Sequence, residues 1–421
     1  MEDITSHDQN QDVKSGPVTS SQIPALQKKL ESLLPYSIPL VERIKFHLAH
    51  PVSETSRIFV AVYNPAAKDT AAPSPGGPRP STHRHTVGVS DTWLQDTTTS
   101  AAAPPPWLAA HIDLVHYGQT QVWVFASWEH PSQQRQQQHT YTPAPTQAQT
   151  DAHTHVEREN TTTTTGGGGE YDPIHEALVT SLFKYIYTSL IPTMPTTPSG
   201  EWLTLLRTGK TLTTPYSRTK ILFGTVSDKL WRYLPDHVRA RMDPGYLKYV
   251  FTPDNPITAT ESAATAATPF RLPQGYTFTT LLPTHLQTVL DRSSIPRTLS
   301  TLSQYVNVGV LHMSSGPDPV AWGFLGKDAS VSSLHTEPDH RGLGLAACVT
   351  RELIRRQHQR QASDLNHEDE EDTTGRRWAH ADVSQSNLSS RRVMEKLGAK
   401  PMWRVMWTEL DLEKFFYPSP S

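Results

Sequence analysis

The sequence predicts a mixed α/β sandwich rather than a doubly wound sheet, and three observations carry that expectation. Residues from Gly275 to Leu410 read in the order βααβββαβαβ. Two of the strands, Val306 to His312 and Val320 to Leu325, flank the turn-forming run Ser315-Gly316-Pro317-Asp318-Pro319, so they form an antiparallel hairpin. Ahead of this regular part lies a longer region in which strand and helix patterns are broken by low-complexity sequence. Neighbouring strands that meander antiparallel exclude an all-parallel sheet.

Each element of the second half has a local cause. Gly275 to Leu281 alternates in the manner of a strand, and Thr284 to Asp291 and Arg297 to Gln304 carry helical spacing. Ala329 to His335 is a strand, and a helix from about Gly344 to Arg356 follows it. A strand at Trp378 to Val383, a helix at Leu388 to Leu397 and a strand at Arg404 to Leu410 complete the order. In the first half, Ile23 to Leu34, Ser37 to Ala49 and Ile174 to Leu190 have helical spacing, the last stopped near Pro192. Ile58 to Tyr63 and Val122 to Ser127 read as strands, while Val226 to Leu234 and Gly245 to Phe251 are short and ambiguous.

Four segments lack the apolar content to offset the entropy of ordering: Pro65 to Pro106, Pro131 to Glu170, Asp254 to Pro269 and Gln357 to Gly375. They divide the chain into a first region at 20–253, carrying insertions at about 65–106 and 131–170, a linker at 254–270 and a second domain at 271–415. Histidines at 82–86 and 150–156 sit in low-complexity sequence with no partner cluster, so no metal site is expected.

Composition narrows the function classes. The 421 residues include 35 prolines and 36% hydrophobic residues, and the mean hydropathy is -0.50. Part of such a chain cannot bury a core. A formal net charge of -3 gives no electrostatic reason to expect a nucleic-acid or membrane partner. No stretch approaches the roughly 18 apolar residues of a membrane span. The polar start, Met1 to Ser20, has no apolar signal core. The single cysteine, Cys348, excludes an intrachain disulfide and sits in an apolar run as a structural thiol. Cytoplasm or nucleus is the expected compartment.

The run that carries chemistry is Ser333-Leu334-His335-Thr336-Glu337-Pro338-Asp339-His340-Arg341-Gly342-Leu343-Gly344-Leu345-Ala346. A strand ends at a proline, and a glycine turn leads straight into an amphipathic helix. Gly342 and Gly344 permit close approach and positive φ. The amides from Arg341 to Ala346 then point along a helix start, where free N–H groups and the dipole favour a pyrophosphate. The turn has no lysine, so it is not a Walker loop, and its glycine spacing fails the dinucleotide pattern.

Arg341-Gly342-Leu343-Gly344-Leu345-Ala346 resembles the R/Q-x-x-G-x-G/A signature of the GNAT superfamily of N-acetyltransferases. The run Asn387-Leu388-Ser389-Ser390-Arg391-Arg392-Val393-Met394-Glu395-Lys396-Leu397-Gly398-Ala399 resembles that superfamily's later motif, an Asn opening a helix that ends in Leu-Gly. Pro319-Val320-Ala321-Trp322-Gly323-Phe324 and the following turn look like the glycine N-acyltransferase-like branch. Ile112 to Trp128 and Phe223-Gly224-Thr225-Val226-Ser227-Asp228 are more weakly similar to the first half of those enzymes, which makes residues 20–253 a degenerate GNAT-like half.

The resemblance implies a GNAT fold and an acyl-CoA, acetyl-CoA before others, as co-substrate with no metal. Leu334 and Thr336 would pair with the pantetheine arm as a strand does. Arg341, Gly342, Leu343, Gly344, Leu345 and Ala346 would hold the pyrophosphate, and Asn387 would touch the same arm. A backbone N–H near Leu334 would polarise the acyl carbonyl. The partner would be a small primary amine or amino acid, and Arg297 falls where the family shapes the acceptor pocket, placed to clamp a carboxylate. The superfamily's acid, a tyrosine, is replaced here by Met394, and the branch's base, a glutamate, by Ser330. Glu337, His335 and Asp382 are the substitutes, with His380 a relay beside Asp382. Two alternatives remain: an acyl-CoA-binding protein without activity, and a protein or peptide lysine acetyltransferase whose groove uses the acidic run Glu368 to Asp372.

Overall fold

The first strand of this chain starts from residues too polar to be noticed, yet Val13–Pro17 (β1) pairs along its whole length with Arg57–Tyr63 (β2). The computed structural model of the chain describes residues 12–64, 93, 104–115, 119–131, 171–207, 213–243, 245–258, 271–364 and 377–418. Both histidine runs and most of each low-complexity segment lie outside the described residues.

The two halves repeat one topology. The first runs β1, Ile23–Glu31 (α1), Ile38–Ala49 (α2), β2, Trp107–Ile112 (β3), Val122–Ala126 (β4), Pro173–Tyr185 (α3), Gly200–Arg207 (α4), Lys220–Ser227 (β5), Asp228–Trp231 (α5), Arg239–Met242 (β6) and Tyr246–Phe251 (β7). The second runs Tyr276–Thr279 (β8), Pro283–Arg292 (α6), Leu299–Ser303 (α7), Asn307–His312 (β9), Ala321–Leu325 (β10), Val331–Thr336 (β11), Leu345–Asp364 (α8), Ala379–Ser384 (β12), Leu388–Lys396 (α9), Lys400–Asp411 (β13) and Leu412–Phe416 (α10). In both, four antiparallel strands are followed by a parallel step, β4 to β5 and β11 to β12.

A strand exchange joins the halves into one sheet, ordered β1-β2-β3-β4-β5-β13-β7-β12-β11-β10-β9-β8. β7 belongs by sequence to the first half but pairs antiparallel with β12 over six residues. β13 is long enough to serve both halves. Its start pairs with β7, and its end pairs with β5. This exchange crosses the boundary expected at 254–270.

Alternation along β7 explains why it fits there. Leu247, Tyr249 and Phe251 point into the core beneath α8 and α9, with Ala379, Ala381 and Val383 of β12. Lys248 points to the other face. That face also carries Trp322 and Phe324, packed with Leu286, Val289 and Leu302 of α6 and α7.

Two expectations for low-complexity sequence are corrected. Asp254 begins a structured turn: Asn255 donates to the Leu397 carbonyl at 3.1 Å, and Ile257 and Thr258 are buried. Gln357 to Asp364 continue the helix of α8, with Gln357 and His358 buried. A polar segment that extends an established helix gains one backbone bond per residue without a new nucleation cost, so composition alone misjudged it. Among the described residues, no helix is long and apolar enough to cross a membrane.

A fragment of residues 271–421 lacks β7 and leaves the β12 edge open. It is expected to give a collapsed or aggregated species rather than a dispersed amide spectrum. A dispersed, monomeric NMR spectrum would show that the sheet closes without β7.

Candidate active site

The site grows from an irregularity in β11. Trp322 faces His335 and Phe324 faces Ser332, so Gly323 alone opposes both Ser333 and Leu334. Ser333 takes φ 50°, a left-handed conformation that a non-glycine residue adopts only under constraint. The constraint comes from α8. A Cβ on Gly323 would lie 2.9 Å from Leu353 and 3.0 Å from Val349, so only glycine lets the helix press on the bulge. The bulge re-aims the backbone at Ser333 and Leu334 and leaves the extra residue outside regular ladder pairing.

Beyond the bulge the sheet splays. β11 and β12 share a single register pair, Val331 with Ala381. The rest of β11 therefore offers an unpaired edge towards the gap. Ser333 Oγ and Thr336 Oγ1 are buried and have no hydrogen-bond partner there.

The gap leads to the glycine turn. Gly342 and Gly344 both have φ 79°, and an added Cβ at either would meet nothing within 4 Å. Backbone bonds resume only where the amides of Ala347 and Cys348 donate to the Gly344 carbonyl. The amides of Gly342 to Ala346 have no backbone acceptor among the described residues. An open row of free amides at the start of a 20-residue helix fits a pyrophosphate. Arg341 turns back, its Nε donating to the Thr336 carbonyl at 3.0 Å, and so ties the turn to the strand end. Asn387 caps α9 by accepting from the Ser390 amide at 3.0 Å. That cap uses its carbonyl oxygen and leaves its amide N–H groups over.

The sequence-predicted catalytic residues fall into two groups. At the turn end of β11, Glu337 accepts from Arg292 Nε at 3.1 Å and stands 3.6 Å from His335 Nε2. His335 stacks on Trp322 with ring centroids 4.5 Å apart, and burial depresses its pKa although Glu337 opposes this. At the Val331 end, Lys248 lies 2.7 and 2.8 Å from the two carboxylate oxygens of Asp382. Burial raises the Asp382 pKa to about 6 despite that ammonium. Val331 and His335 face Leu325 and Trp322 on β10, so across the bulge the groups are roughly 10 Å apart along the sheet.

His380 lies on the same face of β12 as Asp382, and both meet Lys248. It is fully buried, its Nε2 donates to the Asp328 carbonyl at 2.8 Å, and its Nδ1 faces Lys248 at 3.3 Å. Burial brings its pKa down to about 4, so the ring is neutral near pH 7. Ser330 donates to Asp328 Oδ1 at 2.6 Å, and this buried carboxylate stands two residues before the position where the branch's glutamate was expected. Met394 is core. Arg297 sits over Tyr305, its guanidinium 5.4 Å from the ring centroid, and Arg43 and Asp328 are close to the same tyrosine.

Lys248 and Asp328 escaped sequence reasoning. Lys248 is remote in sequence and reaches the site only through the strand exchange. Asp328 follows Gly326-Lys327, which reads as an ordinary turn. A charged residue alternating with Leu247, Tyr249 and Phe251 was the one available signal for Lys248.

The first half repeats the topology, with a different helix start among its described residues. Its helix α3 opens with Asp172-Pro173, and the Asp172 carboxylate takes the Ile174 amide at 2.8 Å. A carboxylate there occupies the amides and repels phosphate. Trp128 stacks on His175 at 3.9 Å beside it.

Comparison with known proteins gives the family and the fold. The family described as the acyl-CoA N-acyltransferase verG N-terminal domain matches residues 11–249, more than half of the chain. The chain belongs to that family of acyl-CoA N-acyltransferases, and its fold is the mixed α/β GNAT fold, a second GNAT domain beside a degenerate GNAT-like first half. A Drosophila protein solved by structural genomics covers 94% of this chain and 98% of its own at 11% identity, with a TM-score of 0.51, and shares the fold. A tandem GNAT protein from the clavulanic acid biosynthesis pathway aligns over 97% of this chain and 99% of its own at 12% identity and a TM-score of 0.38. A GCN5-related N-acetyltransferase from Sphaerobacter thermophilus covers 46% of this chain and 60% of its own at 14% identity, TM-score 0.31. No curated protein sequence matches the chain. Among the described residues, no group of three or more metal-ligating side chains is present.

Gly344→Trp places a bulky side chain across the amide row and forces it into a left-handed φ. CoA binding measured by calorimetry is expected to vanish, with a loss of stability of only about 1 kcal/mol. Undiminished affinity would move the pyrophosphate site elsewhere.

Proposed function

We propose that the second half binds an acyl-CoA, with acetyl-CoA the expected donor, and passes the acyl group to a primary amine of a small molecule or amino acid. The observation that carries this reading is the single register pair between β11 and β12, which opens a strand edge directly into the row of free amides at Gly342 to Ala346. The glycine N-acyltransferase-like branch is the proposed placement within the superfamily.

Bound acyl-CoA supplies an activated thioester carbonyl. Residues 342–346 hold the pyrophosphate through backbone N–H groups, whereas the Arg341 amide is spent on the Pro338 carbonyl, and the edge at Leu334 and Thr336 lines the arm. The open edge runs from the turn back towards Val331, so the acyl group is delivered to the end where Asp382 stands. Leu334, displaced by the bulge, is the proposed N–H donor to the carbonyl. Asp382 is the proposed proton acceptor, because a pKa near 6 suits a base working close to neutrality. Lys248 holds that carboxylate in place. Glu337 and His335 stand beside the pyrophosphate turn, so we assign them to the cofactor path instead of the proton transfer.

A protein that binds acyl-CoA without turnover is the second reading, favoured by the burial of Met394 and by Ser330 being tied to Asp328. Release of free thiol from acetyl-CoA over a panel of amines decides between the two. Micromolar CoA binding with no release for any amine selects the inactive protein.

Asp382→Asn is expected to lower the transfer rate at least 100-fold with CoA affinity unchanged, whereas Glu337→Gln lowers it less than about 5-fold. The reverse order of effects returns the proton transfer to Glu337. The pH dependence follows from the same group. Below about pH 6 the Asp382 carboxyl is protonated and cannot accept a proton, so kcat/KM falls on the acid side with a midpoint near 6. Lys248→Met removes the cation that favours ionised Asp382, so the midpoint moves up. An unmoved acid limb in this variant means that another group sets it.

A further inference from the structure

The two halves meet at a second polar cluster outside the strand exchange. α7 and its N-cap Thr298 dock on the first half: Gln119 donates to Thr301 at 2.8 Å, and Thr298 donates to Glu201 at 3.0 Å. Arg43 of α2 is 3% exposed at this seam, close enough to feel both Asp113 and Asp328. Lys327, 6% exposed in the turn before β11, is close to Arg43, Asp113 and Glu201.

The acids of this cluster are satisfied and the bases are not. Asp113 accepts from Ser53 at 2.6 Å, Asp328 from Ser330 at 2.6 Å and Glu201 from Thr298. On the other side, Arg43 has one ion contact, 3.8 Å from Asp113, and its Nε and Nη1 are buried without a partner. Arg297 Nη1 is likewise buried and unpartnered. Among the described residues no hydrogen bond or ion pair involves the Lys327 ammonium, and burial, with Arg43 alongside, brings its pKa down to about 8. Buried donors left over on Arg43 and Arg297 are costly in the free protein, and an anion beside the Lys327 ammonium would satisfy them together.

We propose that Arg43, Arg297 and Lys327 form a carboxylate-binding site for the acceptor, shared between the halves, at the end of β11 where the acyl group is delivered. This deepens the acyl-transfer reading and rests on it. A carboxylate suits the site better than a phosphate, because Asp113, Glu201 and Asp328 stand close and would repel a dianion. The first half thereby selects the acceptor through Arg43. Specificity follows, since an amine without the carboxylate leaves the buried donors unpaired.

The test uses the full chain and matched amine pairs, each an amino acid and its decarboxylated counterpart, in the thiol-release assay. Sodium propionate and inorganic phosphate, at constant ionic strength against chloride, are compared by thermal unfolding. Propionate is expected to raise the Tm of the wild-type protein by a few degrees and phosphate by less. Lys327→Met removes an unpaired buried charge, so its own Tm is expected to rise while the propionate effect disappears. The preference for the amino acid over the plain amine, as a ratio of kcat/KM, falls at least 10-fold in Lys327→Met and in the charge-conserving Arg43→Lys. The site is overturned if propionate leaves the wild-type Tm unmoved, if phosphate stabilises more than propionate, or if both variants keep the preference. Propionate stabilisation that Lys327→Met abolishes, without thiol release for any amine, keeps the anion site and removes the acyl-transfer reading.

Discussion

β12 has two edges, and how they are used decides the rest of the molecule. One edge is fully paired with β7, a strand contributed by the first half, and the other touches β11 at one residue. The filled edge fixes β12 in place, so β11 can diverge without unravelling the sheet. β7 also brings Lys248 under Asp382. A buried ion pair adds little net stability because desolvation offsets its attraction, yet removing one partner typically costs about 3–5 kcal/mol. The pair therefore fixes register between the halves more than it strengthens them. A one-residue slip of β7 would turn Lys248 into the apolar core with Ala381 and Val383.

The halves have parted in role while keeping one topology. A parallel step after four antiparallel strands creates the same gap in each, but the residues at the mouth differ. Glycines with positive φ leave amides open in the second half, whereas in the first an aspartate caps the helix start beside a Trp–His stack. The first half then contributes by completing the second: a strand for its sheet, a lysine beneath its carboxylate and an arginine at its seam. Two charged residues from one half beside the site of the other explain why a single long strand, β13, is shared by both.

The sequence carried the parts of the site that depend on neighbours along the chain. A turn of glycines between a strand and a helix is a local event, so Arg341 to Ala346 were legible as an anion cradle, and Asn387 as a helix opening. The strand order of the second half was legible for the same reason, since each hairpin or crossover follows from short connections. Catalytic assignment was weaker. His335 and Glu337 adjoin the turn in sequence, whereas Asp382 reaches its partner Lys248 only through the pairing of β12 with β7. β1 and β7 were missed or left ambiguous because a strand's stability comes from its partners, and those lie about 45 and 130 residues away by the register pairs Gly16–Val60 and Val250–His380.

What the sequence determined by itself was the fold class and the glycine turn whose amides stay open at a helix start. Only the tertiary structure decided which charges share a site. Lys248 meets Asp382, and Arg43 approaches Asp328, because strand pairing and helix packing bring them together across the two halves. The physical reason is range. Backbone preference and capping act within a few residues and are written locally, whereas burial sets the strength of a charge's interactions and depends on every element packed around it.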